Sequence, residues 1–181
     1  LLGSIIAIMV STSVATLVLP PITVSAAANL TDVQLLLSGG SQKPLISDDG
    51  QRTVVSYVTS GSPQALVFGP GHAPAGDVVA LNAAGLVAND DTEALALSRD
   101  GRFVLVRSRA SNLSPTESST AWRPYLIDLD ADGDLVFGES GDRTIERLPG
   151  TVDGTQRTYG GDISPDGRYV TYSVAGATTI K

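Results

Sequence analysis

From about residue 45 onward, apolar and polar positions alternate over short runs, and each run is soon closed by Gly, Pro, Asp or Asn. Alternation with period two sends successive side chains to opposite faces, the pattern of a strand. Three segments repeat it without gaps: residues 46–55 (ISDDGQRTVV), 97–106 (LSRDGRFVLV) and 163–172 (ISPDGRYVTY). Each reads aliphatic residue, Ser, any residue, Asp-Gly, Gln or Arg, then β-branched and aromatic residues. Asp-Gly between two apolar runs predicts a tight hairpin in which both residues take positive φ in a two-residue turn. Further strands are predicted over residues 64–68, 77–81, 124–129 and 144–148. No stretch sustains a 3.6-residue apolar period, so the fold class is all-β.

Gly50, Gly101 and Gly167 lie 51 and 66 residues apart. A four-stranded propeller blade takes roughly 40 to 50 residues, so the first interval holds one blade and the second one blade with a longer loop. The three segments resemble the WD-like β-propeller repeats of TolB-type and related exported proteins, and LSRDGRFVLVRSRASNLSP (97–115) resembles a longer form found in bacterial secreted propellers. The resemblance runs from about residue 41 to the end. It implies a partial β-propeller of four-stranded antiparallel blades, with two to three blades in residues 27–181. Propellers of this family include binding scaffolds and the gating domains of serine peptidases. The resemblance therefore implies an exported, non-catalytic binding or scaffold module for a protein, peptide or glycan. The alternative is the substrate-access domain of a secreted serine peptidase or other hydrolase. Because rings close with roughly 4 to 8 blades, the chain is expected to be a fragment whose third blade stops after its first hairpin, with exposed sheet edges and poor solubility.

Residues 1–19 (LLGSIIAIMVSTSVATLVL) carry no charge and are followed by Pro20-Pro21 and the small-residue stretch 24–28. The apolar run and the Val24-x-Ala26 site read as a signal peptide-like segment, 1–26, lacking its basic start. An uncleaved membrane anchor or a buried strand pair are the other readings. On the first, the protein is secreted, periplasmic or at the cell surface.

All ionisable side chains lie from Asp32 onward, 12 Lys and Arg against 19 Asp and Glu, a net charge of -7. An acidic domain repels phosphate backbones, which excludes nucleic acid as a natural partner. Without cysteine there is no disulfide, thiolate metal site or cysteine nucleophile, and a single histidine, His72, rules out multi-histidine metal sites. No G-x-S-x-G, H-E-x-x-H or G-x-x-x-x-G-K-[ST] motif occurs. His72 lies in a Gly/Pro-rich stretch (69–76) that reads as a blade-connecting loop. The repeated Asp49, Asp100 and Asp166, with Ser47, Ser98 and Ser164, are expected to shape turns. Trp122, Tyr125, Tyr159, Tyr169 and Tyr172 are expected to pack between blades or line a ligand surface. Asn29 and Asn112 begin glycosylation sequons, relevant in a eukaryotic secretory host.

One segment carries distinct chemistry. Residues 128–139 (DLDADGDLVFGE) satisfy D-x-[DN]-x-[DN]-G-x5-E in full. Calcium takes six to eight oxygens, and acids at alternate positions turn theirs inward while the glycine allows the sharp bend. The expected ligands are Asp128, Asp130 and Asp132 by carboxylate, Asp134 by its carbonyl, and Glu139 closing the site. The flanks read as strands rather than helices, so Asp142 is an alternative to Glu139. Magnesium, or a solvated turn without metal, are the other readings.

Overall fold

The computed structural model describes residues 44–59, 61–73, 76–114, 121–137, 141–149, 158–174 and 177–180. All fall within one compact unit, Leu37–Lys181; the signal-like segment and Glu139 lie outside them. Runs of Val, Leu, Thr and Tyr cut short by Asp, Gly and Pro favour strands over helices, and every regular element among these residues is a strand. The first sheet holds β1 (Leu45–Ile46), β2 (Thr53–Thr59), β3 (Ser62–Phe68) and β4 (Asp77–Val78). The second holds β5 (Thr92–Leu97), β6 (Phe103–Ser108), β7 (Arg123–Asp128) and β8 (Thr144–Arg147). The third holds β9 (Thr158–Ile163), β10 (Val170–Val174) and β11 (Ala177–Ile180).

Every sheet is antiparallel, and its strands lie in chain order. The first strands β1, β5 and β9 border one cleft of about 390 Å³, where Pro44, Ile46, Leu95, Leu97 and Asp162 meet. Meandering four-stranded sheets that gather their first strands around a common cleft are propeller blades. The fold is a partial β-propeller.

The second sheet is covered on both faces. Val104, Leu105 and Val106 are all fully buried, because strand alternation sends them to two cores rather than to a core and solvent. Val104 and Val106 join Val54, Val67 and Val79 of the first sheet. Leu105 joins Ile163, Val170 and Tyr172 of the third. Fully burying such a side chain contributes about 1.5–3 kcal/mol, so these two layers are the main bond between blades.

The hairpins correct one expectation. Ser47 N–H donates to Arg52 C=O and Gly50 N–H to Ser47 C=O, which leaves a four-residue loop instead of a two-residue turn; Ser98/Phe103 and Ser164/Tyr169 repeat this. Within the three Asp-Gly pairs only the glycine takes positive φ, at 69°, 76° and 69°. The aspartate instead braces the loop. Ser47 Oγ–H donates to Asp49 Oδ1 (2.6 Å), Asp49 Oδ1 accepts Gln51 N–H (2.9 Å), and Ser47 Oγ accepts Arg52 N–H (2.9 Å). The second and third copies reproduce all three bonds. These serines and aspartates shape turns, as their sequence context implies.

Two of the glycines also let adjacent blades approach. A Cβ at Gly101 would lie 2.8 Å from Arg52 Cδ, and one at Gly167 2.8 Å from Phe103 Cδ2. Arg52 and Phe103 occupy the same repeat position, so each of these glycines rests on the preceding hairpin. Three further differences from the sequence reading stand out. β4 is only two residues long, because after Val79 the chain leaves the ladder for a turn closed by the Leu81–Val87 bridge. The 69–76 stretch joins β3 to β4 inside one blade rather than connecting blades. The third blade continues past its first hairpin into β11, which pairs with β10.

Candidate metal centre

The acidic loop runs from the end of β7 to the start of β8, where Asp128 pairs across the ladder with Phe103 and Thr144. That register sets Asp128 beside Arg102 of the second hairpin. Arg102 Nε and Nη2 donate to its two oxygens, each at 2.7 Å. The paired hydrogen bonds push the Arg102 guanidinium above its usual pKa. Asp128, the expected first ligand, is engaged in this ion pair, and its Oδ1 also accepts the Asp130 N–H at 3.1 Å.

Asp130, Asp132 and Asp134 do converge, each offering one carboxylate oxygen within 4.8 Å of the others. Oxygens that share one calcium at 2.3–2.6 Å lie within about 5 Å of each other, so the spacing fits a single ion. Gly133, at φ 78°, makes the bend between them. Asp130 is fully buried, and its two oxygens accept the Leu135 N–H at 3.3 and 3.2 Å. To present that N–H, Leu135 adopts φ 70°, a left-handed conformation unusual for a residue with a side chain. Asp132 and Asp134 lie at the surface and each accepts a backbone N–H two residues on.

Asp142 closes on the backbone of the loop from its far end, outside the group of three. Asp142, 6% exposed, accepts the Asp132 N–H through Oδ1 at 3.2 Å, while its carbonyl takes the Ala131 N–H. Its Oδ2 is enclosed and has no hydrogen-bond partner among the described residues. A buried carboxylate oxygen without a donor is costly. The donor set is all oxygen, which suits a hard divalent ion.

The other side of the loop faces the first blade. Leu129 and Phe137 are buried in the core they share with Val54, Val67 and Val79. The Phe137 ring lies 3.2 Å from the Arg52 guanidinium, and its carbonyl oxygen rests where a side chain on Gly71 would be. Arg143 donates to the Val78 carbonyl and pairs with Asp77 at 3.8 Å. Asp77 also accepts from His72 Nδ1 at 3.0 Å. The His72 side chain is fully enclosed, and its Nε2 has no partner among the described residues. Burial lowers its pKa below the usual 6.5 against the opposing pull of Asp77, with Arg143 and Arg52 adding to the lowering. Glycine and proline made this stretch read as an open loop. The signal that could have located the histidine is the aspartate five residues on.

Of the aromatic residues, Tyr125 and Tyr172 are buried, Trp122 lies under the Arg107 guanidinium at 4.6 Å, and Tyr159 and Tyr169 are exposed.

No protein-family model and no curated protein matches the chain. Among solved structures it is similar to a TolB from Agrobacterium tumefaciens, at 20% identity and TM-score 0.44, covering 75% of this chain and 39% of that one. It is also similar to TolB from Acinetobacter baumannii, at 17% identity and TM-score 0.45, covering 80% of this chain and 30% of that one. The chain thus spans well under half the length of the structures it resembles.

Proposed function

We propose that the chain is the blade-forming part of an exported, non-catalytic binding propeller, stiffened by one calcium ion in the β7–β8 loop. The observation that carries the metal is the convergence of Asp130, Asp132 and Asp134, each with a carboxylate oxygen within 4.8 Å of the others. Three carboxylates gathered in one short loop repel one another, each contact costing on the order of 1 kcal/mol even in water; a divalent cation reverses that sign. Export supports the same reading, because extracellular calcium reaches the level that weak sites of this kind require. The apolar segment 1–19 and the small residues at 24–28 are what favour export.

A binding role is supported by what the polar side chains already do. The repeated serines and aspartates hold hairpins, and the one histidine is sealed against Asp77. The cleft bordered by β1, β5 and β9 offers a protein, peptide or glycan a site of mixed apolar and polar character, with Ile46 exposed at its rim. Calorimetric titration of the chain with calcium tests the metal. Binding between micromolar and millimolar is expected, weakened at least tenfold, about 1.4 kcal/mol, in Asp132→Asn, a surface substitution that leaves the fold intact. A folded chain that takes up no calcium would overturn the proposal.

A further inference from the structure

His72 is the only histidine of the chain, and it pins a short stretch of the first blade to β4. Its Nδ1 meets Asp77 Oδ2 at 3.0 Å, and the Ala73 N–H reaches the same oxygen at 3.3 Å. One residue earlier, Gly71 lies so close to the Phe137 carbonyl of the second blade that a Cβ would not fit between them. We propose that residues 71–73 are an acid-released strap between the first and second blades: with a neutral His72 the strap lies on Phe137, and protonation of His72 lifts it. The acids of the β7–β8 loop take no part, so the inference is independent of the calcium reading.

The geometry fixes the state of the ring. A carboxylate only accepts hydrogen bonds, so the hydrogen of the neutral imidazole sits on Nδ1, facing Asp77. Nε2 is then a bare acceptor, buried and without a partner among the described residues. Protonation adds a hydrogen at Nε2, in a side chain closed to water. It also adds a positive charge within reach of Arg143, from the second blade, and Arg52, from the first hairpin. Asp77 offsets this only in part, because its Oδ2 already serves Arg143 at 3.8 Å and the Ala73 N–H. Burial is the largest effect, and with the two arginines it outweighs Asp77 and holds the ring below its usual 6.5.

Lifting residues 71–73 gives both ring nitrogens water and returns the ring to its ordinary range. The lifted form therefore binds the proton first, and acid favours it. The closed strap is fully favoured above about pH 6.5. From there down to the lower pKa of the enclosed ring, each pH unit raises the ratio of lifted to closed strap by up to about tenfold, the effect of one proton. Lifting takes Ala73 off Asp77 and Gly71 off Phe137, while Arg143 keeps Asp77 and the Val78 carbonyl. The release is local.

Proton NMR of the whole chain, titrated from neutral pH into mild acid without calcium, tests this, because a single histidine gives unambiguous ring signals. The expected result is a ring midpoint below 6.5, with loss of the nuclear Overhauser contact between Gly71 and Phe137 over the same range. Protection of the Ala73 amide, corrected for intrinsic exchange, should fall by up to about tenfold per pH unit, while amides of β6 keep theirs. His72→Gln, which can still donate to Asp77 but takes up no proton, should retain the Gly71–Phe137 contact throughout. A ring midpoint at or above 6.5, a contact that survives protonation of the ring, or an equal loss of it in His72→Gln would overturn the strap. So would loss of β6 protection in step with that of Ala73, the mark of whole-chain unfolding. Should His72→Gln fail to fold, the titration of the unaltered chain decides.

Discussion

Replacing Ser98 by alanine probes the device that the three hairpins share. The side chain is 1% exposed. Its hydroxyl donates to Asp100 Oδ1 at 2.6 Å and accepts the Phe103 N–H at 2.8 Å. Alanine removes both bonds and strands the Phe103 N–H at a partly buried position, a loss of about 1–3 kcal/mol. Asp100 is at the surface, where water replaces the lost donor, so its share is small. The net expectation is about 2 kcal/mol. In urea denaturation, where slopes for small domains run about 1–3 kcal/mol per molar, this moves the midpoint by roughly 1 M at constant slope. Ser164→Ala supplies an internal control, since the same two bonds, at 2.7 and 2.9 Å, are solvent-exposed there; its midpoint should move distinctly less. If Ser164→Ala cost as much as Ser98→Ala, or if Ser98→Ala cost under about 0.5 kcal/mol, the account of the hairpin as a buried hydrogen-bond brace would be wrong.

The enclosed His72 makes stability pH-dependent. Its folded pKa lies below the unfolded value near 6.5, so the unfolded state binds the proton first. Stability from this group is complete above about pH 6.5 and declines as pH falls from there toward the folded pKa; His72→Gln should flatten that part of a melting-temperature profile. Asp166 acts in a lower range. The Ser164 hydroxyl and the Arg168 N–H hold its carboxyl below the usual 3.8, so its contribution is intact above that value and fades as pH drops through the folded pKa, a fade that Asp166→Asn should abolish in an acid titration. Gly161 lies between blades, where a Cβ would come 2.5 Å from both Leu105 Cδ2 and the Thr171 carbonyl; Gly161→Ala should lower the urea midpoint, whereas Gly160→Ala, with open space around it, should not.

What the sequence revealed followed from how local the physics is. The three Ser-x-Asp-Gly hairpins were legible because the donor, acceptor and glycine that build each one lie within six residues. Turn length was misjudged because Asp-Gly suits more than one turn, and the serine hydroxyl selects the longer one. The acidic loop was legible as a group, but the partners of its members were not. Asp128 pairs with Arg102, 26 residues upstream, and that pairing depends on strand register. The burial of His72 was hidden for the same reason: Arg143, which shares its aspartate, lies on another blade.

The seating of Gly101 on Arg52 and of Gly167 on Phe103 has a consequence for assembly. Each contact joins two different surfaces, a glycine notch on one hairpin and a large side chain on the one before, so the stacking has polarity. Contacts of this head-to-tail kind cannot pair two units about a twofold axis; repeated, they advance by a constant rotation and either close into a ring or extend as a helix. Tyr169 stands at the repeat position of Arg52 and Phe103, and it is 54% exposed. Among the described glycines none is seated on it, so it presents the large-side-chain half of the same head-to-tail contact.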